Sequence, residues 1–128
     1  MRNQLYCQSV FIILPLLITA CSSPSDCQKF RNGKFKMIFD GHTTIITRSG
    51  NTQIERREGV ESTLNVKWAN DCTYILTPTK ETLKKLPEIP KDAFVKVEIR
   101  KVNEDSYVQS STSSFSDKVL SAEIFRIK

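Results

Sequence analysis

The thiols and imidazole of this 128-residue chain, the side chains best suited to covalent or zinc chemistry, are five: Cys7, Cys21, Cys27, Cys72 and the single histidine, His42. A zinc site needs three or four nitrogen, sulfur or oxygen ligands. One histidine and a pair of late cysteines approach that only if both thiols are free. A Cys72–His42 pair would join a thiol nucleophile to a base under the same condition. His42 follows Asp40-Gly41, a tight hairpin signal, so it is expected as an exposed turn residue. Glu55, Glu58 and Glu61 gather around Gly59 and are expected to be solvated. There is no G-x-S-x-G element and no glycine-rich phosphate loop. The residues therefore predict no enzyme, no metal site and no cofactor. What remains is binding. Phe35, Phe39, Trp68 and Tyr74 could line the apolar mouth of a small barrel, with Arg48, Arg56 and Arg57 meeting an anionic head group at its rim. The same aromatics would also fill a small core, and the arginines would also serve as a solvated face.

The N-terminal stretch governs which cysteines are available. Arg2 gives a positive start, Val10 to Leu17 is apolar, and Thr19-Ala20 precede Cys21. This is the layout of a secretory signal. A membrane span needs roughly 20 apolar residues; Val10 to Ala20 is eleven, with Pro15 inside. The polar run Ser22-Ser23-Pro24-Ser25-Asp26 follows at once. Ile18-Thr19-Ala20-Cys21 resembles the lipobox of bacterial lipoproteins, with Ile18 where Leu is usual. The resemblance implies cleavage before Cys21, a diacylglyceryl thioether on its sulfur, and acylation of the freed amine by a chain such as palmitate. Two or three long chains anchor stably where one does not, at about 0.8 kcal/mol per buried CH₂. The rival reading is ordinary signal cleavage that leaves Cys21 as a thiol. Ser22 after the cysteine, in place of Asp, implies transport to the outer membrane under the best-known lipoprotein sorting rule.

The chain then divides into a signal at 1–20, a lipidated tether at 21–26 and one domain at 27–128. Residues 1–20 hold one basic residue and no acidic one. The remaining 108 residues therefore carry 18 Lys+Arg against 14 Asp+Glu, net +4. A mildly basic surface would be attracted to anionic lipid or polysaccharide; a solvated, soluble surface is the plainer reading. Export disfavours nucleic acid, and no nucleic-acid module is recognisable. With Cys7 removed and Cys21 lipidated, Cys27 and Cys72 remain in an oxidising compartment and are expected to be bridged. The rival is one buried and one exposed free thiol.

These groups must be positioned by short strands. Gly33, Gly41, Gly50 and Gly59 fall at regular intervals, and Asn70-Asp71 and Asn103-Glu104-Asp105 continue the turn signals. Strands are expected at Lys34–Asp40, Thr43–Arg48, Thr52–Arg57, Glu61–Ala69, Cys72–Thr77, Phe94–Val102, Ser106–Thr112 and Lys118–Ile127. Ser110–Ser116 reads as a loop or weak edge strand. Lys80–Leu86 has helical character and stops before Pro87. Trp68 and Tyr74 should flank one hairpin.

The region 26–128 as a whole resembles a set of small bacterial lipoproteins grouped loosely with lipocalin-like proteins. The likeness rests on Cys27, Phe30, Gly33-Lys34-Phe35, Thr52-Gln53-Ile54-Glu55, Val66-Lys67-Trp68 and Asp71-Cys72-Thr73-Tyr74. Some relatives carry a DNA topoisomerase IV label, for which this short chain has neither a phosphate loop nor a tyrosine nucleophile context. The expected fold is all-β: about eight antiparallel strands in a meander, closing into a small lipocalin-like barrel with one short helix. The expected function is that of a monomeric envelope lipoprotein binding a small apolar or lipid-like ligand. The alternative is a lipoprotein that docks another envelope protein by a strand edge or the Ser110–Ser116 loop. Replacing Cys21 with Ser should release the protein from membrane fractions while leaving its thermal unfolding unchanged; a variant still membrane-bound and processed would refute the lipobox reading.

Overall fold

The computed structural model describes residues 24–128. The expected signal segment and Cys21 lie outside the described residues. Eight antiparallel strands follow one another around a closed barrel in chain order. They are β1 (Gly33–Phe39), β2 (His42–Ser49), β3 (Thr52–Arg57), β4 (Val60–Asn70), β5 (Thr73–Pro78), β6 (Val95–Val102), β7 (Ser106–Ser113) and β8 (Ser116–Arg126). A single short helix, α1 (Lys80–Lys85), lies between β5 and β6. The all-β meander barrel read from the sequence is thus the observed architecture. Ser110–Ser113 belongs to β7, and the turn that follows carries Ser114 and Phe115.

Local chemistry explains the turns. Asp40 and Gly41 both adopt positive φ, 51° and 76°. A two-residue hairpin loop whose twist matches the strands requires this, and Asp-Gly supplies it at little steric cost. Thr79 caps α1 by accepting a hydrogen bond from the Thr82 amide. The Thr82 hydroxyl in turn accepts from the Thr63 amide and donates to the Thr63 carbonyl, both at 2.8 Å, which fastens the helix to β4. Trp68 and Tyr74 face each other across β4 and β5 with ring centroids 4.6 Å apart.

The two ends of the barrel differ. One is closed by a 3₁₀ helix, Pro24–Phe30, which begins inside the stretch expected to be a tether. Cys27 of this plug is bonded to Cys72, in the turn between β4 and β5, as expected, and the rival of two free thiols falls away. Phe30 is fully buried, with its ring 4.8 Å from that of Tyr107 and 6.2 Å from that of Phe35. The last carbonyls of a helix have no partner within it. Here Arg126 donates to the carbonyls of Lys29 and Asn32, and Arg48 to that of Phe30. Gly33 must be glycine because its φ is +138° and an added Cβ would lie 2.3 Å from Arg126 Nη1. The opposite end, the far rim, carries the β1–β2, β3–β4 and β7–β8 turns together with α1.

The disulfide spans 45 residues. In the chain-entropy model a loop of that length stabilises by about 4 kcal/mol. The Cys27→Ser/Cys72→Ser protein should unfold at a correspondingly lower urea concentration; an unchanged midpoint would show that the plug is held by its other contacts alone.

Candidate functional site

The most concentrated group of polar side chains lies inside the barrel beneath the plug, centred on Arg48. Side chains on β2 alternate, so Ile46 facing inward carries Arg48 inward too. Arg48 is 1% exposed. Four hydrogen bonds leave its guanidinium. Nε donates to Gln53 Oε1 at 2.8 Å, Nη1 to the Phe30 carbonyl at 2.6 Å, and Nη2 to the hydroxyls of Tyr74 and Tyr107, both at 3.0 Å. The guanidinium also lies over the Tyr74 and Phe35 rings, 4.7 and 5.2 Å from their centroids. A second tier extends the network. Gln53 donates to Glu55 at 2.6 Å, and the Tyr74 hydroxyl donates to Gln109 at 3.3 Å and lies 3.2 Å from that of Tyr107.

The electrostatics follow from burial and these partners. Burial opposes the charge on Arg48, but the tyrosine hydroxyls and Glu55 outweigh it, and its pKa is raised. Burial, followed by the neighbouring Tyr107, lifts the Tyr74 phenol well above its ordinary range despite the opposing pull of Arg48. Tyr74 is therefore a neutral hydroxyl at physiological pH. Burial also raises the Glu55 carboxyl, against the hydrogen bond from Gln53 and the charge of Arg48. The arrangement holds one cation in an apolar interior, with its donors committed to acceptors from the plug, β2–β3, β5 and β7.

The residues expected to line one ligand mouth are not gathered there. Phe35, Tyr74 and Arg48 are buried in the core. Trp68 packs on Tyr74 and receives the Arg31 guanidinium at 4.7 Å from its ring. Phe39 sits at the far rim, 39% exposed. Arg56 points outward and pairs with Glu61 at 2.5 Å, and Arg57 is exposed on the same strand. Strand alternation decides this, because Arg48 and Arg56 fall on opposite faces of the wall. Sequence reasoning overlooked Tyr107, Gln53 and the part played by Phe30. The period-2 pattern running through Ile46 was the one available signal for the inward turn of Arg48. His42 pairs with Glu58 at 2.5 Å on the rim, joining two hairpin tips. Among the described residues no group of three or more His, Cys, Asp or Glu could hold a metal ion.

At the far rim an apolar cavity of about 90 Å³ lies between the barrel wall and the α1–β6 connection. Leu64, Leu76, Ile89, Ala93, Phe94 and Phe115 are among the side chains that line it. Ligand pockets usually measure about 300–1,000 Å³. This one holds a single ring or a branched alkyl group. No protein-family model matches the chain, and no curated protein or solved structure matches it.

Two predictions follow from the buried charge. Arg48→Ala leaves four buried neutral acceptors without their donor and should destabilise by about 3–5 kcal/mol in sum, since each buried polar group left unsatisfied costs roughly 1–3 kcal/mol and the two hydroxyls can partly re-pair with each other. Urea denaturation measures this, and a cost below 1 kcal/mol would contradict the network. Glu55 holds its proton more tightly folded than unfolded, so wild-type stability should fall as pH rises from below about 4.3, the unfolded value, through the raised folded pKa. Glu55→Gln should lack that decline, gaining on wild type at pH 7 and matching its trend near pH 4.

Proposed function

We propose that this protein is an exported lipoprotein, anchored through Cys21 to the cell envelope, whose barrel docks another envelope protein at the far rim. The observation that carries the reading is the contrast between the two ends. The plugged end is filled by Phe30, Phe35, Tyr107 and the Arg48 network. The far rim exposes Phe115, Val119 and Leu120, at 55%, 65% and 43%, and Phe94 beside them. Large apolar side chains grouped at a surface mark an interaction site. Cys21 stands three residues before the plug begins at Pro24, a reach of roughly 10 Å when extended. An anchor there would hold the plugged end toward the membrane and turn the apolar rim away from it.

A second reading has its own support. The 90 Å³ cavity is walled by apolar side chains, which suits the end of an acyl chain or a single hydrocarbon ring in a small-ligand carrier. Calorimetric titration with a long-chain fatty acid, and mass spectrometry of lipids retained on natively extracted protein, separate the two. Docking predicts no stoichiometric lipid and no saturable uptake at micromolar concentration. One retained acyl chain per barrel, lost on Ala93→Phe, which would fill the cavity that the buried Ala93 lines, would overturn it in favour of the carrier.

A further inference from the structure

The barrel closes through a short seam. β1 and β8 are paired only at Phe35 with Arg126, Lys36 with Phe125 and Met37 with Ile124, and the Ile127 amide continues to the Lys34 carbonyl at 2.8 Å. β8 runs on toward the far rim, eight residues beyond this pairing, from Glu123 back to Ser116. Its other side stays bonded to β7 as far as Leu120 and again at Ser116. Among the described residues, nothing pairs with its β1-facing side there. β1 itself ends at Phe39 and turns at Asp40-Gly41.

The direction of the free groups follows from the bonds that are made. The Ile127 amide points to β1, and the Arg126 amide points away, to the Asp105 carbonyl. Backbone groups alternate sides along an antiparallel strand. Phe125 therefore faces β1, and Glu123, Ser121 and Val119 face the gap. An unpaired strand edge is a template for another strand. We infer that this edge, Ser116–Glu123, receives an extended apolar peptide of another protein by β-strand addition. The inference rests on the docking reading and locates it.

Side chains at the gap specify the occupant. Val119 and Ile38 lie on the outer face, Leu120 and Phe39 on the inner, and all four are exposed. Val119 to Ala122 carries no charge. An incoming strand with apolar residues toward both faces meets apolar partners on each. A second copy of this chain fits less well. Two such edges pair about a two-fold axis perpendicular to the sheet, so each residue meets one of the same facing. Centred on Leu120, that pairing sets Asp117 opposite Glu123. Centred on Val119 it sets Lys118 against Leu120, and centred on Ser121 it sets Glu123 against Val119. Like charges directly opposite destabilise a sheet.

The test uses the folded chain from Cys21 onward, carrying Cys21→Ser, with a capped seven-residue peptide of five consecutive valines between terminal lysines as the probe, apolar on both faces. Amide hydrogen exchange is read by NMR. Addition at this edge should slow exchange of the Ser121 and Glu123 amides at least tenfold and leave Leu120 and Ala122 unchanged. The same peptide N-methylated at alternate residues should give no protection. Ser121→Pro, which removes an edge donor, should abolish the effect; Val119→Lys/Leu120→Lys serves if that variant fails to fold. Protection that appears without peptide and rises with protein concentration would assign the edge to a second copy and overturn the inference, as would saturating peptide with no change at Ser121 and Glu123. Photo-crosslinkers at Val119 and Phe94 in the full, membrane-processed chain keep the two readings apart. Crosslinks from Phe94 alone would sink the edge and spare docking, whereas none from either position would sink both.

Discussion

A single buried cation sets the terms for the rest of this barrel. Moving a guanidinium out of water costs several kcal/mol even after relaxation, and the cost is met only when its donors find acceptors. Arg48 finds them on four separate pieces of chain: the Phe30 carbonyl, Gln53, Tyr74 and Tyr107. None of these can shift without leaving a guanidinium N–H unsatisfied in an apolar interior. The plug, the β2–β3 hairpin, β5 and β7 are thus tied to one point. The rings of Phe30, Phe35 and Tyr107 then pack around that point to complete the core.

The same constraint makes the two ends of the molecule unlike. Near the plug, the interior is occupied by side chains that satisfy one another, and the Cys27–Cys72 bond, with Cys27 itself buried, fastens the plug to the β4–β5 turn. Arg126 repeats the device at the lip, donating to plug carbonyls while lying over the rings of Phe30 and Phe35. An eight-stranded barrel is just wide enough to be filled in this way or to hold one small ligand. In the plugged half it is filled. The apolar groups left exposed collect at the other rim, where α1, the 86–94 connection and the β7–β8 hairpin stand above the wall.

Strand lengths explain why that rim is uneven. β8 has eleven residues and β1 has seven. The Asp40-Gly41 turn ends β1 early, while β7 and β8 continue together, with an irregular register between Ser111 and Ser113. The seam that closes the barrel is therefore its shortest ladder, and the unmatched length of β8 is an edge. Closure removes edges only where neighbouring strands are equally long.

Much of the architecture was legible in the residues. Turn punctuation every eight or nine positions and period-2 alternation are local properties, and they determined an all-β meander of eight strands with one short helix. Counting thiols identified Cys27 and Cys72 as partners, and the alternation across Asn70-Asp71 set Trp68 against Tyr74. The Leu17–Cys21 pattern lies outside the described residues, and the location it implies belongs to the proposal. The character of the interior was not legible. Arginines in sequence read as surface, and Arg48 is core because acceptors lying 5, 18, 26 and 59 residues away converge on it. The start of the plug, Pro24–Asp26, read as tether because a 3₁₀ turn has no hydrophobic period to announce it. The open edge of β8 is likewise a difference between two strands that meet only when the barrel closes. Local pattern decided what each segment is; only the tertiary structure decided which charge is buried and which edge is free.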